Sequence, residues 1–361
     1  MKAKIAFRVD ASLEIGTGHV IRCLTLAESL RHQNFACLFI CREKKSHLKT
    51  LIELRGFECQ LLPTETPEDD GSTTHSAWLG VSQQEDAAQT ESILRKIMPE
   101  WLIVDHYSLD STWENRLRAF AKKIMVIDDL ADRSHSCDLL LDQNLGRKDL
   151  DYDSRLDNGC LRLIGPDYAL LRPEFLKIRD QSLLRRGDGK LNRILISLGG
   201  ADPSNISSKV LELLAKTKLP VTTKIHLVLG ELSPWRDELL AQASRMPFET
   251  KVLVGVSDMA SLMAEADLGI GAAGTSSWER CCLGLPTLLV VLAQNQKLAA
   301  KALSDCGAAL LLGEKENFQN DFDKVFSDLL KPNQLSQMSQ AAAHLVDGRG
   351  TQRVIEKILS L

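Results

Sequence analysis

The feature that most constrains this chain is the regular return of a short apolar run, often closed by glycine or aspartate, that gives way to a helical pattern. KIAFRV (4–9), FACLFI (35–40), FECQLL (57–62), WLIVD (101–105), IMVID (124–128), DLLLD (138–142) and CLRLIG (160–165) read as strands. Between them lie helical spacings, such as Val20, Leu24, Ala27 and Leu30, and the segment LKTLIELRG closed by Gly56. The polar, basic run RDQSLLRRGDGKLN (179–192) interrupts the pattern, which restarts through RILISLGG, TTKIHLVLG, TKVLVG, DLGIG and PTLLVVL. Parallel neighbours need a crossover between them, so this alternation predicts parallel sheets wrapped by helices. At 361 residues the chain exceeds one ordinary core. Two doubly wound, Rossmann-like α/β domains are expected, 1–168 and 169–361, facing each other across a cleft. The last segment, TQRVIEKILSL, has Val354, Ile355, Ile358 and Leu359 on one face and can pack back on the first domain.

Composition narrows the partners. A formal net charge of −4 offers no basic field for nucleic acid. No apolar stretch reaches the length of a membrane span, so no stable membrane association is expected. MKAKIAFRVD interrupts its apolar run with charge and does not read as a signal peptide. Nine cysteines occur with no CxxC pair, which argues against zinc and fits a reducing, cytoplasmic setting. An anionic ligand must then be held by local geometry, with neither metal nor cofactor expected.

Two loops carry the chemistry. The first is IGTGH, between a strand and a helix, where Gly16, Thr17 and Gly18 let backbone approach a ligand and the helix end favours negative charge. The spacing is not G-x-G-x-x-G, so a dinucleotide is disfavoured. His19, in the first helical turn, is placed for a general base, a positive helix end keeping its ring neutral; a turn-capping histidine is the alternative. Asp10 either orients His19, binds a sugar hydroxyl or caps its own turn. Arg8 is expected to reach the cleft floor, and Arg22 to be a surface ion-pair partner.

The second loop lies within residues 254–296. Ser257-Asp258 reads as a helix cap, and the strand DLGIG opens onto AAGTSSWER. Gly274, Thr275, Ser276 and Ser277 can present N–H groups and hydroxyls to a diphosphate. Glu279 would be repelled by phosphate, so it either reaches a ribose diol or pairs with the helix N-terminus. Gln294, Asn295 and Gln296 offer uncharged amides suited to hydroxyl and acetamido groups. Gly199 and Gly200 permit close approach to ligand or form a plain turn. Asp128-Asp129 allows a metal-bound diphosphate but reads better as a turn cap at the cleft rim. Tyr107 and His106 enter the cleft, with packing the alternative for His106.

VSDMASLMAEADLGIGAAGTSSWERCCLGLP resembles the nucleotide-binding half of the GT-B glycosyltransferase fold, particularly that of the lipid II N-acetylglucosaminyltransferase. With RVDASLEIGTGHVIRCLTLA, DHYSLDSTWE, IDDLADRSHSCDLLLDQN, ISLGGADPSN and AQNQ, the chain resembles the UDP-2,4-diacetamido-2,4,6-trideoxy-β-L-altropyranose hydrolases of pseudaminic acid biosynthesis. The resemblance implies a small-molecule UDP-sugar substrate and no cofactor. It implies His19 as general base, Tyr107 near the substrate, Asn295 as the asparagine of the family's AxNQ motif, Glu279 on the uridine ribose, the Gly274–Ser277 loop on the diphosphate and the backbone near Val256 on uracil. A glycosyltransferase, a UDP-sugar-binding protein and a non-hydrolysing epimerase are the competing readings.

Overall fold

The computed structural model describes residues 2–12, 15–64, 78–186, 189–231 and 233–361. The stretch TETPEDDGSTTHS, for which an exposed loop is expected, lies outside them apart from Thr64. The chain divides into two units: Met1–Leu170 together with Thr351–Leu361, and Leu171–Gly350.

In the first unit the elements run β1 (Lys4–Val9), α1 (Gly18–His32), β2 (Ala36–Arg42), α2 (Lys49–Leu54), β3 (Glu58–Leu62), α3 (Gln83–Ile97), β4 (Trp101–Asp105), α4 (Ser111–Leu117), β5 (Lys123–Ile127), β6 (Leu139–Asp142) and β7 (Leu161–Ile164). All seven strands are parallel, in the order β3-β2-β1-β4-β5-β6-β7. The chain leaves β1 toward β2 and β3, then returns to lay β4 on the other side of β1. The order therefore reverses between β1 and β4, where Val9 lies opposite Asp105. Side chains alternate across the sheet, so Ile5, Phe7 and Val9 join α1 in one core while Ala6, Leu102 and Val104 join α3 and α4 in another. Burying one such large apolar side chain contributes about 1.5–3 kcal/mol.

The second unit runs α5 (Pro173–Arg185), β8 (Arg193–Ser197), α6 (Ile206–Ala215), β9 (Lys224–Leu229), α7 (Arg236–Ala243), β10 (Glu249–Val254), α8 (Met259–Glu265), β11 (Leu268–Ala272), α9 (Ser276–Cys282), β12 (Thr287–Val291), α10 (Lys297–Asp305), β13 (Ala309–Glu314), α11 (Phe322–Leu329) and α12 (Gln334–Leu345). Its six parallel strands are ordered β10-β9-β8-β11-β12-β13, reversing between β8 and β11. The strand β13 is additional to the runs read from sequence; ALLLGE contains no β-branched residue and gives no strand signal of its own. The basic run 179–192 starts within helix α5, and its Arg186 donates to the carbonyls of Met263, Ala266 and Leu283. Its charges thus satisfy backbone acceptors left open at the ends of α8 and α9.

The last helix, α13 (Gly350–Ser360), returns to the first core through Val354, Ile355 and Ile358. Leu359, expected on the same face, is half-exposed instead.

Candidate active site

Ligands of open parallel sheets bind beyond the carboxyl ends of the strands where their order reverses. In the first unit that point gathers the loop after β1 and the loop after β4, and in the second the loops after β8 and β11.

After β1, Gly16 holds φ at +79° and its N–H donates to the Ser12 carbonyl, so the loop doubles back before α1 begins. Thr17 is exposed at the helix start and does not cap it through its side chain, and Gly18 is the first helical residue. His19 follows in the first turn, with its side chain 10% exposed. Its Nδ1 lies 2.6 Å from Asp105 Oδ1. Asp105 is enclosed and gripped from the other side by Arg22, with Nε donating to Oδ2 at 2.6 Å and Nη2 to Oδ1 at 2.7 Å. Burial alone would raise the Asp105 carboxyl, but Arg22 and then His19 outweigh it and hold the group well below the usual carboxylate range. An ionised carboxylate can only accept, so Nδ1 carries a proton, and in the neutral ring Nε2 then holds the lone pair. Among the described residues Nε2 makes no hydrogen bond to protein.

The network extends outward. Arg22 also pairs with Asp129 at 2.8 Å, and Asp129 accepts from the Tyr107 hydroxyl at 2.6 Å and from Asn144 Nδ2 at 3.0 Å. The Tyr107 ring meets His19 edge-on, centroids 4.7 Å apart, while Trp78 stacks on Tyr107 at 5.5 Å. Tyr107 is buried and its hydroxyl bound to Asp129, so its ring holds the imidazole in place.

Several expectations need correction. Arg22 is not a surface residue; at 4% exposure it is the clamp on Asp105. Asp10 does not orient His19. It binds Arg8 at 2.5 and 3.0 Å and accepts the Arg42 backbone N–H at 2.6 Å, and its side chain is fully enclosed. Arg8 is enclosed too, its remaining donors spent on Asp86 at 3.1 and 2.7 Å, so neither residue has a face left for substrate. Central strands are buried on both faces, so a charged residue there finds an internal partner. His106 packs inside, its Nδ1 accepting the Ser108 N–H, and burial lowers its pKa. Asp128 caps its turn by accepting the Ala131 N–H, as read from sequence.

In the second unit, Gly274, Thr275 and Ser276 remain partly accessible at the end of β11. Ser277 turns inward: its hydroxyl faces the Ala272 carbonyl and Arg280, and its N–H donates to the Gly274 carbonyl. It has no group left for a diphosphate, contrary to the sequence reading. Glu279 is 18% exposed at its side chain and lies 3.6 Å from Arg172; burial raises its pKa, with Arg172 opposing. Asp258 caps α8 by accepting the Ser261 N–H, and Val256 lies half-buried just before it. Gln296 Oε1 accepts the Leu292 N–H, and its amide nitrogen reaches toward Gly274, 3.8 Å from where a Cβ would sit. Asn295 is half-buried in the same short turn. Gly199, with φ at +96°, and Gly200 are both exposed. The close approach near them is internal: the Gly200 carbonyl accepts the Gly230 N–H at 2.9 Å, and a Cβ on Gly230 would sit 2.6 Å from that oxygen.

Residues 194–354 match the glycosyltransferase family 28 C-terminal domain. The chain is similar to an uncharacterized protein of Methanocaldococcus jannaschii, 30% identical over 81% of this chain, the match spanning 56% of that protein's length. It is 27% identical to the spore coat polysaccharide biosynthesis protein SpsG of Bacillus subtilis, over 96% of this chain and 94% of that one. It is 25% identical to the UDP-2,4-diacetamido-2,4,6-trideoxy-beta-L-altropyranose hydrolase of Campylobacter jejuni, over 84% of this chain and 97% of the other. In fold it is similar to MurG of Acinetobacter baumannii, with a TM-score of 0.72 at 16% identity, covering 99% and 100% of the two chains. The resemblance to the hydrolases read from the motifs thus stands, and the fold is GT-B. No helix among the described residues is long and apolar enough to cross a membrane.

Proposed function

We propose that the chain is a UDP-sugar hydrolase that converts UDP-2,4-diacetamido-2,4,6-trideoxy-β-L-altropyranose to UDP and free 2,4-diacetamido-2,4,6-trideoxy-L-altrose, a step of pseudaminic acid biosynthesis. The observation that carries the reading is the His19 imidazole, its Nδ1 fixed by Asp105 and its Nε2 left for chemistry. A histidine held this way can accept a proton at one defined atom. Nε2 takes a proton from water as the water oxygen attacks C1. The C1–O bond to the diphosphate breaks, its electron pair leaves with UDP, and the anomeric centre inverts. UDP is a stable anion, so no separate protonated acid is required, and the scheme uses neither metal nor cofactor.

The reading assigns the nucleotide to the second unit: diphosphate to the loop of Gly274, Thr275 and Ser276, ribose diol to Glu279, and uracil to the backbone near Val256. Asn295 and Gln296 would meet the sugar's neutral substituents. The similarity to the Campylobacter jejuni hydrolase supports the substrate. Glu279→Ala is expected to weaken UDP binding about 10- to 100-fold, the worth of hydrogen bonds to a charged group, with little change in kcat. Calorimetric titration with UDP checks this, and an unchanged affinity would remove Glu279 from the ribose.

Glycosyl transfer to an acceptor is the second reading, favoured by the match of residues 194–354 to a glycosyltransferase domain. Incubating the UDP-sugar with the protein alone separates the two. The hydrolase releases free sugar, seen by NMR, whereas no release until an acceptor is added would make the chain a transferase.

A further inference from the structure

The sequence LGIGAAGTSSWER puts glycines at alternate positions of β11 and an arginine on the next helix. Gly269 and Gly271 share one face of the strand. A Cβ on Gly269 would sit 3.2 Å from Arg280 Cδ, and one on Gly271 only 2.6 Å from Arg280 Nη1. The two absent side chains form the slot in which Arg280 lies, 3% exposed. Its Nη2 donates to the Ala272 carbonyl at 2.6 Å and to Ser277 Oγ at 3.0 Å, and Nη1 donates to Ser276 Oγ at 3.1 Å. Nε is buried with no partner.

Among the described residues no carboxylate lies within 4.0 Å of this guanidinium. Burial pulls its pKa down to about 10, which still leaves a full positive charge at neutral pH. Glu279 offsets part of that burial from a distance, but an enclosed cation with no carboxylate in ion-pair range is costly to hold. The same contacts set the direction of a hydroxyl. Ser276 Oγ accepts from Nη1, so its own hydrogen must point elsewhere, and Ser276 is partly accessible on the Gly274–Ser276 loop.

We propose that Arg280 is a positioning residue that supplies the counter-charge for the ligand's diphosphate, acting from beneath the loop and turning the Ser276 hydroxyl into a donor toward it. The inference rests on the reading that this loop takes the diphosphate, and it adds the source of the charge. Wild type and the variants Arg280→Gln, Arg280→Lys and Ser276→Ala are titrated calorimetrically with UDP and with uridine, and each fold is checked by thermal melting. Wild type should bind UDP more tightly than uridine. Arg280→Gln should lose about 10- to 100-fold in UDP affinity with uridine unchanged, Arg280→Lys should recover part of it, and Ser276→Ala should lose about 3- to 10-fold. Arg280→Gln with the wild-type preference for UDP overturns the proposal, as does a parallel loss for both ligands. Should Arg280→Gln not fold, an undiminished UDP preference in Ser276→Ala overturns it. Wild type binding UDP no better than uridine would instead refute the loop assignment, and the role of Arg280 with it.

Discussion

Replacing His19 with alanine is expected to lower kcat for UDP-sugar hydrolysis by about 10²–10⁴ while leaving UDP affinity unchanged. The direction follows from the division of labour between the ring nitrogens. Nδ1 is committed to Asp105, so only Nε2 can take the proton from water, and no other described group in the network is free to replace it. Arg22 is permanently charged, Tyr107 donates to Asp129, and burial, with Asp129 alongside, raises the Tyr107 hydroxyl well above its usual range. The ring is buried and bonded to the enclosed Asp105 carboxylate, so its loss should also cost about 1.5–3 kcal/mol of stability, readable by chemical denaturation. Steady-state kinetics paired with UDP titration makes the check; an alanine variant near wild-type kcat would take the base role away from His19.

Asp105→Asn is expected to reduce kcat by a comparable factor of about 10²–10⁴, on the order seen when an orienting carboxylate is neutralised, with KM little changed. Asp105 accepts at both oxygens: Oδ1 from His19 and from Arg22 Nη2, Oδ2 from Arg22 Nε. An asparagine must put an NH₂ at one of these positions. At Oδ2 it faces Arg22 Nε, donor against donor. At Oδ1 it faces Nη2 and donates to Nδ1, which drives the ring proton to Nε2 and abolishes the base. Losing a charge-assisted partner of buried Arg22 should also cost about 1.5–3 kcal/mol, readable by chemical denaturation. A folded Asp105→Asn variant with full kcat would mean that Asp105 only packs the ring.

Much of the architecture is legible in the sequence because the strand runs are short, apolar and punctuated. Both loops at the sheet reversals, the turn at Gly16 and the Asp258 cap follow from local residue chemistry. What sequence does not give is partnership. Asp105 is visible as the end of a strand, but nothing local pairs it with His19, 86 residues earlier; strand order does, by placing β4 beside β1. The same strand order draws Asp129 to Arg22 across 107 residues. Arg8 misleads for a related reason: on a central strand the alternation of polar and apolar residues does not separate solvent from core, and Asp86, 78 residues away on α3, completes its burial. Arg280 carries no signal of its own because its importance lies in what Gly269 and Gly271 lack, which shows only once strand and helix are packed. Ser277 looks equivalent to Ser276 in the loop, yet the turn into α9 sends one hydroxyl to the interior and leaves the other accessible.

The central claim, that a water activated at His19 attacks the anomeric carbon, is tested most directly by hydrolysis in ¹⁸O-enriched water, quenched early and read by mass spectrometry of both products. Cleavage of the C1–O bond predicts one ¹⁸O in the released sugar and none in UDP. Label in the terminal phosphate of UDP would mean attack at phosphorus and would contradict the account.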